Sequence, residues 1–103
     1  MLSVIVPIYN AEKFLARCLD SLLEQGVEDY EVVCVNDGST DGSGEILQQY
    51  HKRHPDVIKV LEQENRGLPA ARNEGMRLAK GDVLAFCDAD DYLVPGAYRY
   101  LLE

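Results

Sequence analysis

The sequence is short of positive charge, of paired cysteines and of long apolar runs. Ten lysines and arginines stand against eighteen aspartates and glutamates, a formal net charge of −8. A polyanion would be repelled overall, which argues against non-specific nucleic-acid binding and still allows local basic residues to meet a small anion. Three cysteines are present, Cys18, Cys34 and Cys87. The count is odd, no CxxC or Cys/His cluster occurs, and each sits among apolar residues at strand or helix period. That pattern argues against a disulfide framework or a zinc site and predicts reduced, buried thiols in a cytoplasmic protein. His51 and His54 have no third ligand near them and read as surface residues. The apolar stretch from Met1 to Tyr9 is too short for a membrane span and lacks the basic flank of a signal peptide. No GxxxxGK[ST] and no GxGxxG appears, so P-loop and dinucleotide readings lose their signatures.

With 103 residues, 47% of them apolar, the chain suffices for one globular domain with a modest core. Residues 2–8 form a near-continuous apolar run, the pattern of a strand buried on both faces, with Pro7 expected at its end because it cannot donate to a ladder. Apolar residues at i, i+4 and i+8 predict a helix over 11–24, capped by Asn10 and ended by Gln25-Gly26. Strands are expected over 30–35, 57–61 and 83–87. Helices are expected over 43–54, capped by Asp41 or Ser43, and over 67–79, with Pro69 in the first turn. Pro95 opens a last helix, and the final "AYRYLLE" carries no stop signal, so a truncated domain is expected. Strictly alternating strands and helices specify an α/β fold: an open parallel sheet with right-handed crossovers and helices on both faces.

Such sheets bind ligands outside the carboxyl ends of their strands, where the strand order reverses. Those ends deliver Pro7, Tyr9 and Asn10 from the first strand, Asn36, Asp37 and Ser39 from the second, and Asp88, Asp90 and Asp91 from the fourth. The last group, in "FCDADDYL", puts three carboxylates within four residues. Like charges about 6 Å apart at a dielectric of about 20 repel by about 2–3 kcal/mol per pair. A hard divalent cation turns that repulsion into attraction; a solvated turn is the blander alternative. "DGSTDGSGEILQ" imitates a calcium loop, but Gln48 at its twelfth position offers no bidentate carboxylate, so that reading is rejected. Asp37 fits either an Asx turn or an acceptor for the imide N–H of a pyrimidine. Arg72 lies one turn into a helix whose amino end favours anions.

Taken together, "VIVPIYNAEKFLARCLDSLLEQ", "YEVVCVNDGSTDGS", "ENRGLPAARNEG" and "GDVLAFCDADD" resemble the amino-terminal half of a family-2 glycosyltransferase with the GT-A fold, over essentially the whole chain. The resemblance implies a Rossmann-like donor-binding portion over residues 1–103, with the acceptor portion absent. It implies a nucleotide site in which Pro7 and Tyr9 line the base pocket, Asp37 reads the uracil imide, Arg72 contacts the base and Asp88 approaches the ribose. It places the DxD motif on Asp88-Ala89-Asp90, with Asp90 on Mg²⁺ or Mn²⁺ and Asp91 able to take over one of these roles. The implied reaction is metal-dependent, inverting transfer from a nucleotide sugar, a UDP-sugar foremost, to a saccharide or lipid-linked acceptor hydroxyl, in polysaccharide biosynthesis at the cell envelope. The implied location is cytoplasmic, with the inner face of the membrane open to the full-length protein. The general base is expected beyond Glu103, so the fragment binds donor and metal and does not turn over. The sugar, the acceptor and the oligomeric state stay open.

Three rival readings belong to other classes. A nucleotidyltransferase would show a Gly- and Lys/Arg-rich loop after the first strand, where "PIYNAEKF" stands. A receiver-type signalling domain would need an acidic pair where Tyr9-Asn10 stands. A non-catalytic nucleotide- or metal-binding fragment is the third.

Overall fold

The computed structural model describes residues 1–98. Four strands and three helices alternate: β1 (Leu2–Ile8), α1 (Leu15–Leu23), β2 (Tyr30–Asp37), α2 (Ser43–Arg53), β3 (Ile58–Gln63), α3 (Leu68–Leu78) and β4 (Val83–Phe86). All pairings are parallel and the strand order is β3-β2-β1-β4. The chain winds outward from β1 to β3, then crosses back to the other side of β1. The order therefore reverses between β1 and β4.

Alternating side chains of the central strands feed two cores. Leu2, Val4, Val6 and Ile8 of β1 join Val32, Cys34 and Ile58 under Leu15, Leu19 and Leu22 of α1 and Leu47 and Tyr50 of α2. On the opposite face Ile5, Val33 and Val35 pack on Ala71 of α3. Every residue of β1 is buried, as a strand covered on both faces requires. Gly75 lets α3 lie close to the sheet, because a Cβ there would run into Ile5 Cγ2 and stand 3.4 Å from Val35 Cγ2.

Several boundaries differ from expectation for identifiable reasons. Pro7 lies inside β1, paired in register with Val35. The β4 ladder ends at the Ile5–Phe86 pair, and the Ile5 carbonyl faces β4, where it accepts from Cys87 N–H. Pro7, two residues on, points its missing N–H to the same side, past the end of that ladder. β2 and β3 run on to Asp37 and Gln63 because these residues pair with each other. α1 begins at Leu15 rather than at residue 11, after a turn in which the Ala11 carbonyl accepts from both Phe14 and Leu15 N–H. Asn10 is not its cap; it adopts φ +47°, and its Oδ1 accepts from the backbone N–H groups of Thr40 and Asp41. At α2 the capping position falls on Gly42, and Asp41 accepts from Ser43 N–H in the preceding turn. Pro95–Tyr98 form turns; the rest of the helix expected from Pro95, and Glu103 with it, lie outside the described residues.

All three cysteines are free and buried. Burial pushes the Cys34 thiol up to about 12. The Cys18 thiol is pushed up by its contact with Cys87, 3.7 Å away, and by burial. Thiols of this kind are packing residues. His54 is exposed, while His51 is half-buried with Nδ1 2.6 Å from the Ile58 carbonyl. Among the described residues no helix is long and apolar enough to cross a membrane.

Candidate functional site

At the point of reversal a cleft of about 340 Å³ opens over the carboxyl ends of β1 and β4. Its walls gather residues distant in sequence: Pro7 from β1, Tyr9 just beyond it, Phe14 from the approach to α1, Arg72 from α3, and Asp88 and Asp90 beyond β4. Five of the seven site residues expected from the sequence thus meet in one cavity. Tyr9 is exposed, so its ring is open to a ligand. The loop that follows it is fixed from below: Asn10 N–H donates to Ser39 Oγ, Ala11 N–H to Ser43 Oγ, and Glu12 N–H to Asp41 Oδ2.

Arg72 Nη2 donates to Asp88 Oδ1 at 3.1 Å, with both side chains about half exposed. An ion pair this open to water is worth about 0–1 kcal/mol. The two groups can therefore exchange each other for parts of a ligand at little cost.

One carboxylate oxygen from each of Asp88, Asp90 and Asp91 lies within 4.8 Å of the others, and all three side chains are exposed. The loop that carries them turns on a hydrogen bond from Asp91 N–H to the Asp88 carbonyl, 2.9 Å. An oxygen-only set of converging carboxylates fits a hard divalent cation, which takes such ligands and keeps positions for water and phosphate. The cluster fits a divalent cation of this class, with Arg72 competing for Asp88.

Asp37 is placed differently from the rest. It is 1% exposed and does not line the cleft. Its Oδ1 accepts from Gln63 Nε2 (2.8 Å) and Arg66 N–H (2.8 Å), and its Oδ2 from Gly67 N–H (2.9 Å). Burial alone would raise its pKa, but the Gln63 amide and the Arg66 and Gly67 N–H groups outweigh it and hold the carboxyl below its usual range. The residue thus moors the loop that leads into α3, and with it the helix that carries Arg72. Gly38 makes room for this, since a Cβ there would lie 2.8 Å from Asn65 N.

Sequence reasoning missed Phe14 and Leu68 as cleft walls and Arg17 as a neighbour of the acidic loop. Phe14 belongs with Cys18 and Leu22 to the apolar stripe of the predicted helix, the pattern of a core residue, yet in the structure it is exposed at the cleft wall. Arg17 lies on the exposed side of α1, where local spacing gives no sign of a partner 73 residues on.

The family model described as glycosyl transferase family 2 matches residues 3–103. The chain is 46% identical to the uncharacterized glycosyltransferase EpsJ of Bacillus subtilis over 103 residues, covering all of this chain and 30% of that protein. Among solved structures, S. aureus TarS 1–349 in complex with UDP-GlcNAc superposes with a TM-score of 0.90 at 36% identity, over 98% of this chain and 30% of that one. The mannosyltransferase PcManGT from Pyrobaculum calidifontis, in complex with GDP-Man and Mn²⁺, gives a TM-score of 0.85 at 33% identity, over 92% of this chain and 29% of that one. The chain spans under a third of the length of each of these relatives. Its open parallel sheet with flanking helices is that of the GT-A fold, and the chain belongs to glycosyl transferase family 2.

Proposed function

We propose that the chain is the donor-binding portion of an inverting glycosyltransferase that transfers a sugar from a nucleotide sugar, a UDP-sugar foremost, to an acceptor hydroxyl. The observation that carries this reading is the meeting of Tyr9, Arg72, Asp88 and Asp90 in one cleft at the strand reversal. TarS and the mannosyltransferase, the one solved with UDP-GlcNAc and the other with GDP-Man and Mn²⁺, share this part of the fold. In the reading, the nucleobase packs on Tyr9 beside Pro7. Arg72 leaves Asp88 for the base, and Asp88 turns to the ribose.

Asp90, Asp88 and Asp91 hold Mg²⁺ or Mn²⁺, which when bound stabilises the negative charge that grows on the leaving diphosphate. Asp37 reads the imide of uracil through a lone-pair position left on Oδ2, once the 64–67 loop yields. Support for a donor arriving there comes from Gln63, whose Oε1 is buried beside Asp37 with no partner among the described residues. The base that takes the acceptor's proton belongs, in this reading, to the length by which the relatives exceed this chain. The chain by itself binds donor and cation without turnover.

Calorimetric titration of UDP with and without Mn²⁺ tests the reading on the parent and on Asp90→Asn. Mn²⁺ should tighten UDP binding by about tenfold or more in the parent, and the variant should lose that gain. Equal UDP affinity with and without Mn²⁺ in the parent contradicts the reading; an undiminished gain in the variant removes Asp90 from the cation.

A further inference from the structure

Arg17, on the exposed side of α1, lies outside every role assigned so far. Its Nη2 donates to the backbone carbonyl of Asp90 at 3.3 Å. Its guanidinium carbon stands 4.4 Å from the centre of the Tyr92 ring and 5.9 Å from that of Phe14. A planar guanidinium can stack on a ring while its edge donates to a carbonyl, and a lysine cannot do both. The next residue of α1 touches the same loop from the buried side: Cys18 Sγ lies 3.7 Å from the Asp88 carbonyl oxygen. Two successive residues of one helix thus meet the carbonyls of Asp88 and Asp90, whose carboxylates belong to the acidic cluster. Three exposed carboxylates so close together repel and would spread the loop if its backbone were free.

We propose that Arg17 is a positioning residue for the acidic loop: by holding the Asp90 carbonyl and stacking on Tyr92, it keeps Asp88, Asp90 and Asp91 converged for a divalent cation. The proposal rests on the reading of that cluster as the cation site. Arg17 thus engages the backbone of the loop and a ring rather than the carboxylates themselves.

The test compares parent, Arg17→Ala and Arg17→Lys. Arg17 is exposed and alanine favours helix, so the variants should fold. One readout needs no ligand: hydrogen exchange of the Asp91 amide, which donates to the Asp88 carbonyl. The second is the Kd of UDP with Mn²⁺, and the third the Kd of uridine without metal. In Arg17→Ala the Asp91 amide should exchange faster while α2 amides stay as in the parent. Its Kd for UDP with Mn²⁺ should rise about tenfold, with uridine unchanged. Arg17→Lys should recover part of that loss, since it keeps one donor and loses the stack. A Mn²⁺-dependent parent with an unaltered Arg17→Ala variant overturns this inference alone. A parallel loss of uridine affinity with faster exchange throughout also overturns it, as a purely structural role. A parent that gains no UDP affinity from Mn²⁺ overturns the cation reading and this inference together.

Discussion

Asp37 shows how a single side chain can be singled out in a sequence and still be misjudged in its surroundings. Its strand-end position was legible, because the apolar run of β2 stops at Asn36-Asp37. Its three donors were not, because they come from residues 63–67, brought alongside only when β3 pairs with β2. Those donors hold its pKa below the unfolded value of about 3.9. The ionised group therefore stabilises the fold at any pH above that value, and the contribution is lost as pH falls through it toward the folded value. Asp37→Asn keeps an acceptor for some of these donors but turns an amide donor toward others. At pH 7 the variant should be less stable by about 1–3 kcal/mol in urea unfolding, and the gap should narrow as pH falls below about 4. A gap independent of pH between 2 and 7, a range set by the usual carboxylate pKa of about 4, contradicts this account. Asn10 carries a related lesson. Placed just before a predicted helix it reads as a cap, yet an asparagine also tolerates positive φ, and the amides of the 40–41 loop claim its oxygen.

At the scale of elements, periodicity settled which segments are helices and which are strands, and long-range pairing moved their ends. β1 was expected over the residues it occupies, since seven buried positions leave a continuous apolar signature. β2 and β3 outran expectation because pairing, rather than apolarity, decides where a ladder stops. The approach of α3 to the sheet rests on Gly75. Gly75→Ala should cost about 1–3 kcal/mol in a denaturant titration, because Ile5 Cγ2 stands where the new methyl must go. Without that contact the same change would stabilise by up to about 1 kcal/mol, the intrinsic advantage of alanine in a helix. A gain of that size contradicts the close packing. The stake is functional, since α3 carries Arg72 to the cleft.

For the whole molecule, the alternation of elements implied a parallel sheet with helices on both faces, and chirality left few topologies to choose among. The order β3-β2-β1-β4 itself could not be read from the sequence, because nothing local says on which side of β1 the fourth strand pairs. Once it pairs beside β1, the ends of the first and fourth strands become neighbours, and the acidic loop faces Tyr9 across the cleft. A second acidic groove, lined by Asp41, Glu45 and Glu62 along α2, offers carboxylates elsewhere on the surface. The central claim is that a cation and a nucleotide bind together at the strand reversal, and Mn²⁺ reports its own position by broadening nearby amide resonances. Addition of Mn²⁺ with UDP should broaden the amides of Ala89, Asp91 and Asn10 first, and leave those of Tyr30 and Val57, at the amino ends of β2 and β3, sharp. Broadening centred on Asp41, Glu45 and Glu62, or spread evenly over the chain, would contradict the account.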